Sequence, residues 1–517
     1  MSNVDGKLSK LITQVETVSP KLVDCWQATA IVESLGYTDR IIKAEFDFDH
    51  ALAMGEYIYQ QNSNTDNLNS PLATKAKTNP ETTITAEIYA FVQQFSRSFV
   101  YAIPLISLLA LSNVEASDTQ KFISPQLAAL FTIATLASLI TSGGFVQAIA
   151  RRGEFYLGLA LSRQARQACI SLLGWGMLTS FILAVLSLWF GFYRSLFPDN
   201  YLIIGAGYYL VLSLLWMLLS MLSLLSVWGT PLALIGLTIL YWLVRLGAGM
   251  AALEAQMIAI FIILVVLSIA IAILFGKRED SNAGEGNVPL PSLSATVYLL
   301  APFFAYGIVY FCFIFADRLV AGWAVDTASG LIFAIDSAYQ RGMDLALLNF
   351  LLAVPLSEYL AYKLINYWYK QAQVVSYENT AILSKQLKQR YWVLIGVILL
   401  FFALLVTFTI GIPTPQPWAI DNIILSWLGC LGYLLLVLGL LNAVILFSLN
   451  LAKSAIASLF PGLITNLLVG YICANAIAPE WAVLGLVIGS TVFLILSRRQ
   501  VLDAINNPDY AYYLGGY

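Results

Sequence analysis

The stretch NYLIIGAGYYLVLSLLWMLLSMLSLLSVWGTPLALIGLTILYWLV, running from Asn200 to Val244, holds no charged side chain. It is more than twice as long as the roughly 20 apolar residues that carry a helix across a bilayer. A single span does not use it up, and a soluble helix is not apolar on every face over such a length. Trp228-Gly229-Thr230-Pro231 divides it. Thr230 serves as an N-cap there, and Pro231 takes the first helical position, where a missing N–H costs nothing. The stretch therefore reads as two consecutive membrane-spanning helices joined by a tight turn.

The same pattern extends in both directions. Spans are expected at roughly 89–111, 125–149, 168–192, 201–226, 231–253, 255–276, 295–316, 335–361, 391–411, 422–446, 454–476 and 480–497, about twelve in all. Of the 517 residues 59% are hydrophobic and 11% charged. So few charges do not supply the surface of a soluble enzyme of this length, and a disordered scaffold is excluded by the same figures. The apolar residues come in unbroken runs rather than alternating, so the fold class is an all-α integral membrane protein and not a barrel.

Basic residues orient the spans. On one side of the expected bundle lie Arg151, Arg152, Arg163, Arg166, Lys277, Arg278, Lys363, Lys370, Lys385, Lys388, Arg390, Lys453, Arg498 and Arg499; the other side has Lys121, Arg194 and Arg318. The positive-inside rule places the first group, and with it both termini, in the cytoplasm. A long basic loop follows the second span of each half, so two six-helix halves form a parallel pseudo-repeat. The expected organisation is a small helical cytoplasmic module over 1–60, a linker over 61–87, a membrane half over 88–276, a cytoplasmic linker over 277–294, a second membrane half over 295–500 and a cytoplasmic tail over 501–517. In the module, Gly36 reads as a helix stop, and Thr38 and Asp49 as N-caps of two further helices, the last ending near Tyr59.

Several chemistries have no support. His50 is the one histidine, and Cys25, Cys169, Cys312, Cys430 and Cys473 are scattered. No metal site, catalytic triad or cofactor is expected from them, nor an enzyme. There is no phosphate-binding loop of the ATPase type. A net charge of −3 argues against a nucleic-acid partner.

Charges within spans are costly, about 2.5–3.5 kcal/mol at a helix centre on insertion scales, and therefore informative. Arg97, Arg245, Asp317, Arg318, Asp336, Arg341 and Asp344 are the candidate substrate-binding residues. Arg341 and Asp344 are three apart and share a helix face. Either that face lines a water-filled cavity, or the span begins later, near Leu345, and leaves both charges outside. Arg245 either faces a cavity or snorkels to the outer interface. Asp317-Arg318 reads as a site or as an interfacial pair at a helix end.

The segment Tyr310-Phe311-Cys312-Phe313-Ile314-Phe315-Ala316-Asp317-Arg318, with Trp323 after it, resembles the seventh-span ending of the Pel-type exopolysaccharide exporters. These belong to the multidrug/oligosaccharidyl-lipid/polysaccharide exporter superfamily. Gly143-Gly144 and the Arg151-Arg152 exit of the second span are similar in placement. The resemblance implies a multi-pass protein of a bacterial inner membrane that exports a polysaccharide or a lipid-linked sugar by alternating access, surrounded by membrane lipid. A drug or cation antiporter of the same superfamily, a multispan glycan polymerase or glycosyltransferase, and a non-transport scaffold are the other classes. The outer loops are short for a polymerase, and the first half offers little acidic character for an antiporter. The N-terminal module would bind a cytoplasmic glycosyltransferase.

Overall fold

A computed structural model describes residues 8, 11–15, 25–46, 48–69, 125–159, 161–226, 228–250, 252–281, 292–324, 337–372, 375, 380–411 and 420–514. The expected first span, 89–111, lies outside them. The chain divides into two compact units, one of Met1–Ala90 with Lys370–Tyr377, the other of Phe91–Tyr369 with Glu378–Tyr517.

The first unit contains helices α1 (Cys25–Ser34), α2 (Asp39–Phe46) and α3 (Ala51–Asn69). Its core is Leu11, Val15, Val32, Ile42, Phe46, Met54 and Ile58, all buried. Gly36 takes φ +91°, and the Tyr37 N–H reaches back to the Val32 carbonyl, which closes α1. The cap of α3 differs from expectation. His50 Nδ1 accepts the Ala53 N–H at 3.0 Å, while Asp49 pairs with Lys43 at 3.2 Å. The helix also runs past Tyr59 to Asn69, because the chain offers no Gly or Pro between Glu56 and Asn69 to stop it.

The second unit is a helical membrane bundle. Its described helices are α4 (Pro125–Gly158), α5 (Ser162–Arg194), α6 (Asp199–Leu225), α7 (Gly229–Trp242), α8 (Ala252–Ser281), α9 (Leu293–Ala324), α10 (Ser337–Ala372), α11 (Thr380–Gly411), α12 (Ile420–Ser448), α13 (Ala452–Ala476), α14 (Val483–Asn506) and α15 (Pro508–Leu514). Among the described residues, 11 helices are long and apolar enough to cross a membrane. The break falls at Trp228-Gly229, within the turn the uncharged stretch predicts, but its cap differs. Helix α7 starts at Gly229 after Trp228 with no side-chain cap, Pro231 is its third residue, and Thr230 Oγ1 donates to the Leu219 carbonyl instead of capping the helix. The fifth span is shorter than expected. Its α-helix gives way at Leu243 to a π-turn ending at Gly247, and Gly249 takes φ +61°.

The halves repeat one packing plan. In the first, α4 lies on α6, α6 on α8 and α7 on α8; in the second, α10 lies on α12, α12 on α14 and α13 on α14. Small residues permit the closest of these approaches. A Cβ on Gly485 of α14 would collide with the Asn466 carbonyl of α13.

Among the described residues the two halves meet chiefly through α4 and α9. A Cβ on Gly307 would collide with the Gly143 carbonyl, and one on Gly144 would lie 2.8 Å from the Phe304 ring. Phe145 meets Phe304 edge to face at 4.9 Å. Toward the end that carries the basic residues, Arg151 stacks over Phe303 at 5.1 Å and donates to Asn450 Oδ1 at 3.4 Å. Phe303 in turn stacks on Phe447. Away from that end each helix returns to its own half. Leu130 of α4 fills the space over Gly205 of α6, and the Phe313 carbonyl of α9 accepts from Asn466 of α13 at 3.2 Å.

Gly485→Leu is expected to destabilise the second half by about 1–3 kcal/mol through overpacking. Gly396→Leu, with nothing within 4 Å of the added Cβ, is the control. Thermal unfolding of the detergent-solubilised chain reads both; equal midpoints for the two variants would contradict the tight α13–α14 packing.

Candidate functional site

Helix α9 does not stop at Asp317-Arg318. It continues to Ala324, so both charges lie inside a helix flanked by α10 and α12. Asp317 is fully buried and Arg318 is 8% exposed. Consecutive helical residues point about 100° apart, so the two side chains reach different partners. Asp317 Oδ2 accepts the Tyr339 hydroxyl at 2.8 Å. Arg318 Nη1 donates to Gln340 Oε1 at 2.9 Å and pairs with Asp344 Oδ1 at 2.7 Å. Gln340 and Asp344 are one turn apart on α10, which is why one guanidinium reaches both. Tyr433 of α12 lies against Phe350 of α10, ring centroids 5.2 Å apart.

Among the described residues, Asp317 Oδ1, Arg318 Nε and Nη2, and the Tyr433 hydroxyl oxygen are buried with no hydrogen bond of good geometry, the Tyr433 hydroxyl lying beside the Arg318 guanidinium. Burying such groups unpaired is costly, which sets this centre apart from the apolar packing around it. Among the described side chains the centre holds two carboxylates and one guanidinium. A polar thread continues along α10 and its neighbours: Asn349 donates to Thr409 of α11 at 3.0 Å and lies 3.5 Å from the Cys430 sulfur of α12. Among the described residues no group of three or more His, Cys, Asp and Glu could hold a metal ion.

Of the residues singled out in the sequence, Asp317, Arg318 and Asp344 come together. Arg341 belongs to α10, and Arg97 and Asp336 lie outside the described residues. Arg245 sits apart, exposed in the π-turn, and donates to the Met250 carbonyl. Tyr339, Gln340 and Tyr433 went unrecognised. Tyr339 and Gln340 were legible, being one turn before Asp344; Tyr433 carries no sequence signal.

No protein-family model and no curated protein sequence matches the chain. Solved structures do. A MATE transporter in the straight conformation aligns at 14% identity and TM-score 0.53, covering 81% of this chain and 96% of that one. A eukaryotic MATE transporter aligns at 12% identity and TM-score 0.52, covering 83% and 99%. An outward-facing multidrug resistance MATE family transporter of the MOP superfamily aligns at 14% identity and TM-score 0.51, covering 81% and 96%. At these identities the likeness establishes the fold: the membrane unit has the two-half MATE-type architecture.

Arg318→Leu leaves two carboxylates without their cation and is expected to cost about 3–5 kcal/mol of stability. Combining it with Asp344→Leu should recover part of that loss. Thermal unfolding in detergent measures both; a wild-type midpoint for Arg318→Leu would show that the pair is not a buried one.

Proposed function

We propose that the chain is a membrane transporter that works by alternating access and exports a polysaccharide or a lipid-linked oligosaccharide. The observation that carries the reading is the joint between the halves. Among the described residues they meet chiefly through α4 and α9, along Gly143–Arg151 and Phe303–Phe311 near the basic end, with Asn450 of the α12–α13 turn adding one contact to Arg151. Beyond the joint both helices are held by their own half. Two rigid halves hinged on such a narrow contact have a cheap way to open one end and close the other. By the positive-inside rule the closed end faces the cytoplasm.

The Asp317–Arg318–Asp344 centre is the proposed substrate or coupling site. It lies ten residues beyond Gly307 on α9, about 15 Å along the axis. Arg97, Arg245, Asp336 and Arg341 remain candidates for the substrate path. With no phosphate-binding loop in the sequence, the driving force is an ion gradient, the membrane potential or an attached polymerase.

A second reading, drug or cation antiport, is favoured by a specific observation: among the described side chains the buried centre has two carboxylates, Asp317 and Asp344, to the one cation Arg318, and carboxylates in a membrane interior attract a positive charge. Cells lacking the chain separate the two. Loss of surface polysaccharide with retention of intracellular polymer supports export; unchanged polysaccharide with lost efflux of a cationic dye supports antiport.

The hinge has its own test. In a chain whose native cysteines are replaced, Arg151→Cys and Asn450→Cys joined by a short cleavable cross-linker are expected to abolish transport, and cleavage should restore it. Undiminished transport in the cross-linked protein would sink the alternating-access reading.

A further inference from the structure

The two halves handle the basic end differently. In the first half α5 begins there and α8 ends there, and the arginines Arg166 and Arg278 are engaged internally, while Lys277 at the end of α8 is exposed. Arg166 Nε lies 3.1 Å from Glu279 Oε1, and Arg278 Nη2 donates to the Leu225 carbonyl at 3.1 Å. The counterparts in the second half are α11 and α14. Lys385 and Lys388 stand in the first turns of α11, Arg498 and Arg499 in the last turns of α14. Among the described residues none of these four forms an ion pair, and Asp503, one turn past Arg499, does not bridge to it. Arg498 instead lies over the Trp392 ring at 4.6 Å, and Trp392 is one turn from Lys388. Toward the middle of the spans the same helices present apolar side chains outward: Val393, Leu400 and Ile495 are all well exposed.

We propose that this patch binds the headgroup phosphate of an anionic phospholipid, whose acyl chains lie along Ile495 and the Val393–Leu400 stripe. The chemistry is complementary at each level. A guanidinium laid on an indole face keeps its N–H edge free to fork onto phosphate oxygens. Lysines at a span end snorkel their ammonium groups to the headgroup layer while their stems stay in the apolar region. Basic pockets between transmembrane helices on this side of a membrane favour anionic headgroups. The first half is the internal control. Its two arginines at the equivalent place, Arg166 and Arg278, are occupied by a carboxylate and a backbone carbonyl, so among the described residues only the single Lys277 stays free there, against four cations in the second half.

The full chain in nanodiscs tests the proposal, with phosphatidylcholine alone or mixed with phosphatidylglycerol. The readouts are the unfolding midpoint and, by native mass spectrometry, the lipid retained. Phosphatidylglycerol is expected to raise the midpoint of the wild type. Lys388→Gln with Arg498→Gln should lose most of that rise and retain anionic lipid roughly fivefold less well per charge removed. Arg163→Gln, at the equivalent end of the first half, should keep it. If the double variant does not fold, the exposed pair Lys385→Gln with Arg499→Gln provides the same comparison. A full phosphatidylglycerol response in either double variant overturns the site. So does an equal rise from inorganic phosphate added to phosphatidylcholine discs, which would make it a free-oxyanion site and not a lipid site.

Discussion

The approach of the Gly143 and Gly307 backbones is the contact on which the architecture turns. In a bilayer, apolar surfaces gain little by leaving lipid for one another, so two helix bundles adhere only where close packing or polar contacts favour it. Here a pair of glycines supplies the close packing, and Arg151 on Phe303 supplies the polar clasp. Away from this joint α4 and α9 belong to separate cores. The first is tied by Tyr209 to Thr141 at 3.0 Å and by Trp216 to Ser138 at 3.3 Å, the second by Asn466 to the Phe313 carbonyl. A substitution that fills the joint therefore strikes the relation between the halves and leaves each half's own packing in place.

The same α9 carries the joint and the charged centre. Charge inside a hydrocarbon slab is costly, and packing alone gives no reason to keep it. Asp317 and Arg318 are kept by a network that pins α9 to α10 through Tyr339, Gln340 and Asp344. The network lies about 15 Å along α9 from Gly307, so joint and centre share one helix, and the centre helps to hold α9 within its own half.

Much of this was legible in the sequence, for physical reasons that also set the boundary. Span positions follow from bilayer thickness, and the split at Trp228-Gly229 from the absence of charge between Asn200 and Val244. Asp317, Arg318 and Asp344 stood out because charge is rare there. Their pairing was not legible. A helix that is apolar on every side gives no sign of which face turns inward, so Tyr433 could not be told from any other buried aromatic. The helix stop placed before Asp317 was an error of the same kind. Hydropathy falls at a charged pair whether the helix ends or is merely paired, and only the α10 partners distinguish the two. The cap at His50 was missed because Asp is the commoner cap and the imidazole nitrogen does the same work.

The charge balance bears on what an export reading permits. Among the described residues the first half holds neutral polar ties, such as Gln256 to the Tyr208 hydroxyl at 2.8 Å, while the second holds the charged centre. That centre is sealed: Asp317, Tyr339, Tyr433 and Asn349 are buried, and the Arg318 guanidinium is engaged by Asp344 and Gln340. In this arrangement it ties α9 to α10, and a passing substrate would reach it only after these helices part. If the sugar travels on a lipid phosphate, its negative charge belongs at the headgroup layer and not beside Asp317.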